Sequence, residues 1–133
     1  MPRRAPSLRP PAPELDRASL DPPSRRVLEG LTAGLRAKLG EDLVGLWLYG
    51  SSARGEARHP ESDVDLLLIT RRGDADWPRA YHVLYEVSDR EGVSPVRFSL
   101  KLVDPGWVAE RRAIESFFIR EVDRDKLALA GEP

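Results

Sequence analysis

Two short apolar runs joined by a polar loop dominate the hydrophobic pattern of this chain. The runs are Leu43–Tyr49 and Val64–Thr70, and turn-forming or acidic residues bound each of them. Runs of this length that are rich in leucine, valine and isoleucine are typical of buried strands. A third strand is predicted over Val93–Val103, where apolar and polar residues alternate.

The pattern also predicts three longer helices. Each of three segments begins with an aspartate that a proline follows within two residues, and apolar residues then recur at helical spacing. The segments begin at Asp21, Asp76 and Asp104, and glycines end the first two at Gly40 and Gly92. Near the end of the chain, residues 126–130 fit either a last strand or a helical turn.

Asp63 and Asp65, at the start of the second strand, are the strongest candidates for chemistry. Side chains alternate across a strand, so both carboxylates are expected on one face, with Cα atoms roughly 6.5–7 Å apart. Such carboxylates repel each other and lose hydration unless a cation lies between them. Oxygen ligands favour Mg²⁺, with Mn²⁺ as a substitute, and Mg²⁺ on one or two carboxylates is completed by water and substrate phosphates. The sequence thus predicts a metal site for a nucleoside triphosphate.

The end of the first strand predicts a phosphate site. Gly50 permits a sharp turn and a close approach of phosphate to the backbone. Ser51 or Ser52 would cap a short helix over about Ser52–Ala57, whose N–H groups and positive dipole end would face the ligand. Arg54 adds a positive charge with a planar fork of donors that suits phosphate.

These two strand ends together resemble the signature of a known superfamily. Gly50-Ser51, eleven residues and then Asp63-Val64-Asp65 are similar to the glycine-serine and paired-aspartate signature of the DNA polymerase beta-like nucleotidyltransferases. The string GSSARGEARHPESDVDLLL resembles the stand-alone minimal nucleotidyltransferase (MNT) domains, and the order of elements matches over residues 24–130. The resemblance implies an α/β (α+β) fold, with a small mixed sheet and helices packed mainly on one face.

The resemblance also implies a reaction, the transfer of a nucleoside monophosphate, in the first instance AMP, from ATP or another NTP to a hydroxyl acceptor. The roles carried over are those of Asp63 and Asp65 as catalytic metal ligands, of Gly50, Ser51 and Ser52 around the β- and γ-phosphates, and of Arg54 in assisting or bracing the loop. Stand-alone members commonly pair with a small helical HEPN-type protein, as antitoxin and toxin, and some transfer AMP to a tyrosine of that partner. At this length, an acceptor supplied by a partner is expected.

A third carboxylate, which many members of the superfamily carry on the next strand, is not found in this sequence. The polar face of the third strand contains Arg97, Ser99 and Lys101, and Asp104 at its end is explained as a helix cap. The domain could act with two carboxylates and an acid or base from a partner or the substrate, or it could be a slow enzyme. The alternative is a catalytically weak or inactive antitoxin that neutralises its partner by forming a complex. Arg97 and Lys101 are candidates to neutralise triphosphate charge.

Composition narrows the class of protein without identifying it. The chain has 133 residues and a net charge of −1, which fits one globular domain and argues against nucleic acid as a dedicated ligand. The absence of cysteine excludes disulfides and thiolate zinc sites. No apolar run approaches the roughly 20 residues that cross a bilayer, so no membrane association and a cytoplasmic location are expected.

The first 23 residues differ from the rest of the chain. They contain seven of the twelve prolines, and proline removes backbone donors and disfavours helix. Residues 1–23 are therefore predicted to form a flexible tail, and residues 24–133 the folded domain. A partner-docking arm is the functional interpretation of this tail, and a simple disordered tail is the other.

Overall fold

A four-stranded mixed sheet lies at the centre of the chain. The computed structural model describes residues 15–16, 18–55 and 63–131. Within them the strands are β1 (Leu43–Tyr49), β2 (Val64–Thr70), β3 (Phe98–Val103) and β4 (Leu127–Gly131), in the spatial order β3-β2-β1-β4. β1 is antiparallel to both β2 and β4, and β2 is parallel to β3. The predicted mixed sheet is confirmed.

Each of the three helices predicted to start at an aspartate begins at the residue directly after it. The helices of the described ranges are α1 (Pro22–Leu39), α2 (Ser51–Arg54), α3 (Trp77–Glu91), α4 (Pro105–Ala113) and α5 (Phe117–Asp125). Asp21 accepts a hydrogen bond from the Ser24 amide at 3.3 Å, and Asp104 accepts one from the Trp107 amide at 2.8 Å. These carboxylates satisfy amide groups that a helix start leaves unpaired. Among the described residues, no helix combines the length and apolarity needed to cross a membrane.

Helices cover both faces of the sheet. On one face, leucines of β1 and β2 pack under the two long helices α1 and α3. On the other face, Trp47, Leu67 and Ile69 pack against Val108 of α4 and residues of α5. The long helices thus share one face, as predicted, and two nine-residue helices cover part of the second. Burial on both sides explains why β1 and β2 are continuous apolar runs without alternation.

The two edge strands refine the sequence prediction: β3 begins later than predicted, and the end of the chain, for which the sequence allowed a strand or a helical turn, is a strand. β3 begins at Phe98, five residues later than predicted, because Pro95–Arg97 forms a 3₁₀ turn. The Ser94 hydroxyl caps this turn by accepting from the Val96 amide at 3.3 Å, and the Val96 side chain is 82% exposed. Proline at the start of the turn cannot donate to a strand ladder. Near the end of the chain, Leu127–Gly131 forms the strand β4, so of the two predicted alternatives the strand is correct.

The end of the predicted tail belongs to the fold. Leu15 is 2% exposed and packs in the core under α1 and α3. The Ser19 amide donates to the Ser52 carbonyl at 2.8 Å, and α1 already begins at Pro22. Residues 1–14 and 17 lie outside the described residues, so the flexible tail over residues 1–14 stays a prediction.

Candidate functional site

Gly50 and Asp65 lie side by side at one end of the sheet. The antiparallel register pairs Tyr49 of β1 with Asp65 of β2, so the loop that leaves β1 passes over the start of β2. A Cβ atom placed on Gly50 would lie 2.6 Å from Oδ2 of Asp65, and Gly50 has a φ of +80°. Only glycine combines this backbone angle with this close approach. The structure therefore brings the predicted phosphate loop and a predicted metal ligand together.

Asp65 lies on the face of the sheet that α4 and α5 partly cover, and Asp63 lies just before the strand. Asp65 is half-buried and shares this face with Leu67 and Ile69, which alternate with it along β2. Asp63 is exposed and directly precedes β2. The two predicted metal ligands are therefore two residues apart at the strand start, beside the loop that Gly50 opens.

The carboxylates suit a metal ion that arrives with its substrate. Among residues 15–16, 18–55 and 63–131, no group of three or more His, Asp or Glu side chains is placed to hold a metal by itself. Mg²⁺ binds readily to one or two carboxylates when water and phosphate oxygens complete its shell. The donor set of Asp63 and Asp65 therefore fits Mg²⁺ bound together with a nucleotide. When bound, such an ion would neutralise phosphate charge during transfer.

Serine occupies the position on β3 that lies level with Asp65. The parallel register pairs Asp65 with Ser99 and Leu67 with Lys101. Partners in neighbouring strands lie about 4.8 Å apart and point to the same face. Ser99 is exposed there. Along the described part of β3, then, no acid faces the site, in agreement with the sequence.

Of the two cations predicted to face a triphosphate, only Lys101 lies on the carboxylate face. Arg97 belongs to the turn before β3, and its Nε donates to the Ser24 hydroxyl of α1 at 3.0 Å. Its Nη2 also lies 3.9 Å from the Asp21 carboxylate. Arg97 therefore lies against the start of α1. Lys101 is exposed in β3, in register with Leu67.

The helix after Gly50 is shorter than predicted and begins one residue earlier. It spans Ser51–Arg54, with Gly50 as the N-cap and no side-chain cap, and Gly55 ends it with a φ of 75°. The prediction of a serine cap and of a helix over Ser52–Ala57 was wrong, because the turn requires a positive φ at the cap and glycine supplies it. Four residues contribute little dipole, so the backbone N–H groups remain as the donors for phosphate.

Arg54 joins this short helix to the end of α5. Its Nη1 donates to Oδ2 of Asp125 at 3.0 Å, and the Asp125 side chain is 9% exposed. Hydrogen bonds from Arg124 and then Arg54 hold the pKa of Asp125 below its usual range. Of the two roles predicted for Arg54, this ion pair fits the bracing of the loop.

Sequence reasoning gave no role to Tyr49 or Asp125. Tyr49 lies opposite Asp65, and burial together with the negative charge of Asp65 raises the pKa of Tyr49 to about 12. The phenol therefore keeps its proton at neutral pH. In the sequence, only its place as the last residue of β1 pointed to the site. The long loop between β1 and β2 leaves open which residue of β2 lies opposite Tyr49. Asp125 lies 71 residues from Arg54, and no local pattern links them.

Comparison with known proteins supports the same part of the chain. A family model described as a nucleotidyltransferase domain matches residues 30–127. The matched range is well over half of the 133 residues and includes both strand ends of the candidate site. No curated protein sequence matches the chain.

Proposed function

Since the chain belongs to the nucleotidyltransferase domain family, we propose that it is a Mg²⁺-dependent enzyme that transfers AMP from ATP to a hydroxyl acceptor. The acceptor oxygen would attack the α-phosphorus, and the bond from this phosphorus to the oxygen that bridges to the β-phosphate would break. Pyrophosphate would leave, and the hydroxyl proton would pass to solvent or to a base on the acceptor. The observation that carries the proposal is the close approach of the Gly50 backbone to the Asp65 carboxylate, which leaves no room for a Cβ.

The proposed roles follow from where the residues lie. Asp63 and Asp65 would hold the metal ion beside the α-phosphate. The backbone N–H groups of Gly50, Ser51 and Ser52 would bind the β- and γ-phosphates, because the glycine lets phosphate come close to the chain. Arg54 would keep this loop in place through Asp125.

We propose that the acceptor belongs to a partner protein. The string GSSARGEARHPESDVDLLL resembles MNT domains that pair with small helical HEPN-type proteins. In the proposed pair this chain is the antitoxin, and a tyrosine hydroxyl of the partner is the acceptor. In this arrangement the partner can supply the base that accepts the hydroxyl proton. β3 carries Ser99, and not an acid, at the position level with Asp65.

A second candidate function is an antitoxin that acts by forming a complex alone. The observation that favours it is the serine level with Asp65 on β3, where many superfamily members have an acid. With two carboxylates the site would bind metal and nucleotide weakly and transfer slowly. The retention of both Asp63 and Asp65 beside a glycine loop favours the enzyme.

Labelled ATP with Mg²⁺ and a HEPN-type helical partner distinguishes the two functions. Wild type is compared with Asp63→Asn/Asp65→Asn, which keeps side-chain size and removes both charges. The enzyme proposal expects label on the partner with wild type alone. If no label transfers while both proteins bind the partner equally well, the complex-forming function replaces it.

A further inference from the structure

Three aromatic rings form a continuous row beside the carboxylates, here called the aromatic wall. It consists of Tyr49 from β1, Phe118 from α5 and Trp107 from α4. The Tyr49 and Phe118 ring centroids lie 5.5 Å apart at an interplanar angle of 87°, and those of Phe118 and Trp107 lie 6.0 Å apart at 71°. All three residues are half-buried. Edge-to-face pairs at these separations are favourable, so the row is held in place.

The aromatic wall begins at the metal-binding carboxylate. Tyr49 and Asp65 are partners in neighbouring strands, so their side chains point to the same face of the sheet. The first ring of the row therefore lies against Asp65. The glycine loop lies on the same carboxylate, since Gly50 approaches its Oδ2. The aromatic wall thus starts at the end of the sheet that carries the glycine loop and Asp65, and it extends along the same face to Trp107, which contacts Lys101.

Two cations lie against the far ring of the aromatic wall. Lys101 Nζ lies 5.4 Å from the Trp107 ring centroid, and Arg111 Cζ lies 5.0 Å from it. Lys101 comes from β3 on the carboxylate face, in register with Leu67 of β2. Cations over an aromatic ring keep their charge and favour anions nearby. The Trp107 end of the wall is therefore electropositive, which attracts a polyanionic nucleotide to this face of the sheet.

We infer that the aromatic wall binds the nucleoside part of the donor triphosphate, with the base stacked on the Phe118 ring and the phosphates directed toward Asp65 and Gly50. This inference rests on the proposed function, because it assigns the other end of the same substrate. Every base has a π-face, so stacking distinguishes a nucleotide from an inorganic polyphosphate and discriminates weakly among bases. The wall would thus supply affinity for the nucleoside without selecting ATP over the other triphosphates.

A second aromatic row, on α3, provides the matched control. Trp77, Tyr81 and Tyr85 follow one another with centroid separations of 4.9 Å and 5.8 Å, and Trp77 and Tyr85 are each 52% exposed. The Tyr81 hydroxyl donates to the Leu100 carbonyl at 2.9 Å. α3 packs on the face opposite the carboxylates, so a base stacked there could not place its phosphates at Asp65.

The test compares two ligands on full-length variants by titration calorimetry with Mg²⁺. The ligands are ATP and inorganic tripolyphosphate, which share phosphates and differ in the nucleoside. Phe118→Leu keeps an apolar side chain and removes the stacking ring, and Trp77→Leu does the same on α3. The inference expects Phe118→Leu to weaken ATP binding about tenfold and tripolyphosphate binding less than twofold. Trp77→Leu should change neither.

The outcomes separate this inference from the proposed function. If Phe118→Leu weakens both ligands equally, or neither, the aromatic wall does not bind the base, although nucleotide binding stands. If wild type binds neither ligand, both proposals fall. Phe118→Tyr keeps the ring and should keep the affinity for ATP. Should Phe118→Leu melt below the assay temperature, Phe118→Met takes its place, with the same expected difference between the two ligands.

Discussion

Gly50 passes so close to Asp65 that a methyl group on its Cα would lie 2.6 Å from the carboxylate Oδ2. Gly50→Ala is therefore expected to push the carboxylate or the loop out of place and to reduce nucleotide transfer about 100-fold, the order expected for a misplacement of about 1 Å. It should also cost about 1–3 kcal/mol of stability, because a φ of +80° with a ψ of −161° is a conformation that other residues avoid. Transfer rates and urea unfolding check the two effects.

Gly40→Ala is the matched control for this substitution. Gly40 also has a positive φ, of +54°, and an added Cβ would meet nothing within 4 Å. It ends α1, away from the carboxylates. Gly40→Ala should lose comparable stability and keep transfer activity. Equal losses of activity in both variants would mean that backbone strain, and not contact with Asp65, accounts for the effect.

Arg54 is expected to act on nucleotide binding through Asp125. If Arg54 braces the loop, Asp125→Asn should weaken binding of MgATP about as much as Arg54→Gln does, and the double variant should be no worse than either single one. A pair of a half-exposed arginine and a largely buried carboxylate contributes on the order of 1 kcal/mol, so each effect should be a few-fold. Titration calorimetry of the four proteins measures the coupling.

Arg124→Gln tests whether the loss of MgATP affinity comes from losing the ion pair of Asp125 with Arg54 or from losing any ion pair of Asp125. Arg124 also donates to Asp125, at 3.0 Å, and it pairs with Glu121 on its own helix. Removing it leaves Asp125 and Arg54 together, so affinity for MgATP should stay near that of wild type. Loss of affinity in Arg54→Gln with none in Asp125→Asn would instead place Arg54 on the phosphate itself.

The parts of the fold that local pattern controls were predictable from sequence. β1 and β2 have the predicted bounds because each apolar run is limited by residues that end strands, Gly50 after the first and Asp63 before the second. α1 begins beyond Asp21 and ends at Gly40 because its caps are encoded in the sequence itself. The mixed sheet followed from the resemblance that these elements carry.

The relationships between distant residues were not predictable in this way. The pairing of Tyr49 with Asp65 depends on the register across a loop of fourteen residues, which the hydrophobic pattern leaves open. The pairing of Arg54 with Asp125 joins residues 71 positions apart. Arg97 appeared to belong to β3 by alternation, but the turn that begins at Pro95 directs it to Ser24. Such contacts depend on how elements pack, and the first two of them lie at the candidate site.

Because of Asp76, the free energy of unfolding is expected to vary with pH in the acidic range. Its side chain is fully buried, and Arg72 and Arg79 each lie 2.7 Å from its Oδ1. Burial alone would raise the pKa of Asp76, but hydrogen bonds from Arg79, Thr70 and Arg72 outweigh it and hold the pKa below the usual value. A lowered pKa in the folded state stabilises the protein above the unfolded pKa of about 3.9, and this stabilisation is lost as pH falls through the folded value.

Asp76→Asn should therefore cost about 1.5–3 kcal/mol at pH 7, the usual contribution of hydrogen bonds to a charged group. Its difference from wild type should shrink as the pH falls below about 4, because Asp76 then binds a proton in the unfolded chain before it does so in the folded protein. Urea midpoints at pH 7 and pH 3.5 measure this. Asp74→Asn, in the same turn but exposed, should change stability little at either pH. A difference for Asp76→Asn that is constant with pH would contradict the assignment.

Ser99→Asp is expected to supply the carboxylate that the site lacks. Ser99 is level with Asp65 on the neighbouring parallel strand and is exposed, so an aspartate fits without a change in packing. A third carboxylate should raise Mn²⁺ affinity about tenfold, because affinity rises with the number of charged ligands. Without metal it should lower the melting temperature, because three like charges then repel one another. Ser99→Asn has the same shape without the charge and should leave both properties unchanged. If nucleotide transfer rises with metal affinity, the missing acid limits the rate of an enzyme. If affinity rises and transfer stays absent, the carboxylates bind metal in a protein that acts by forming a complex.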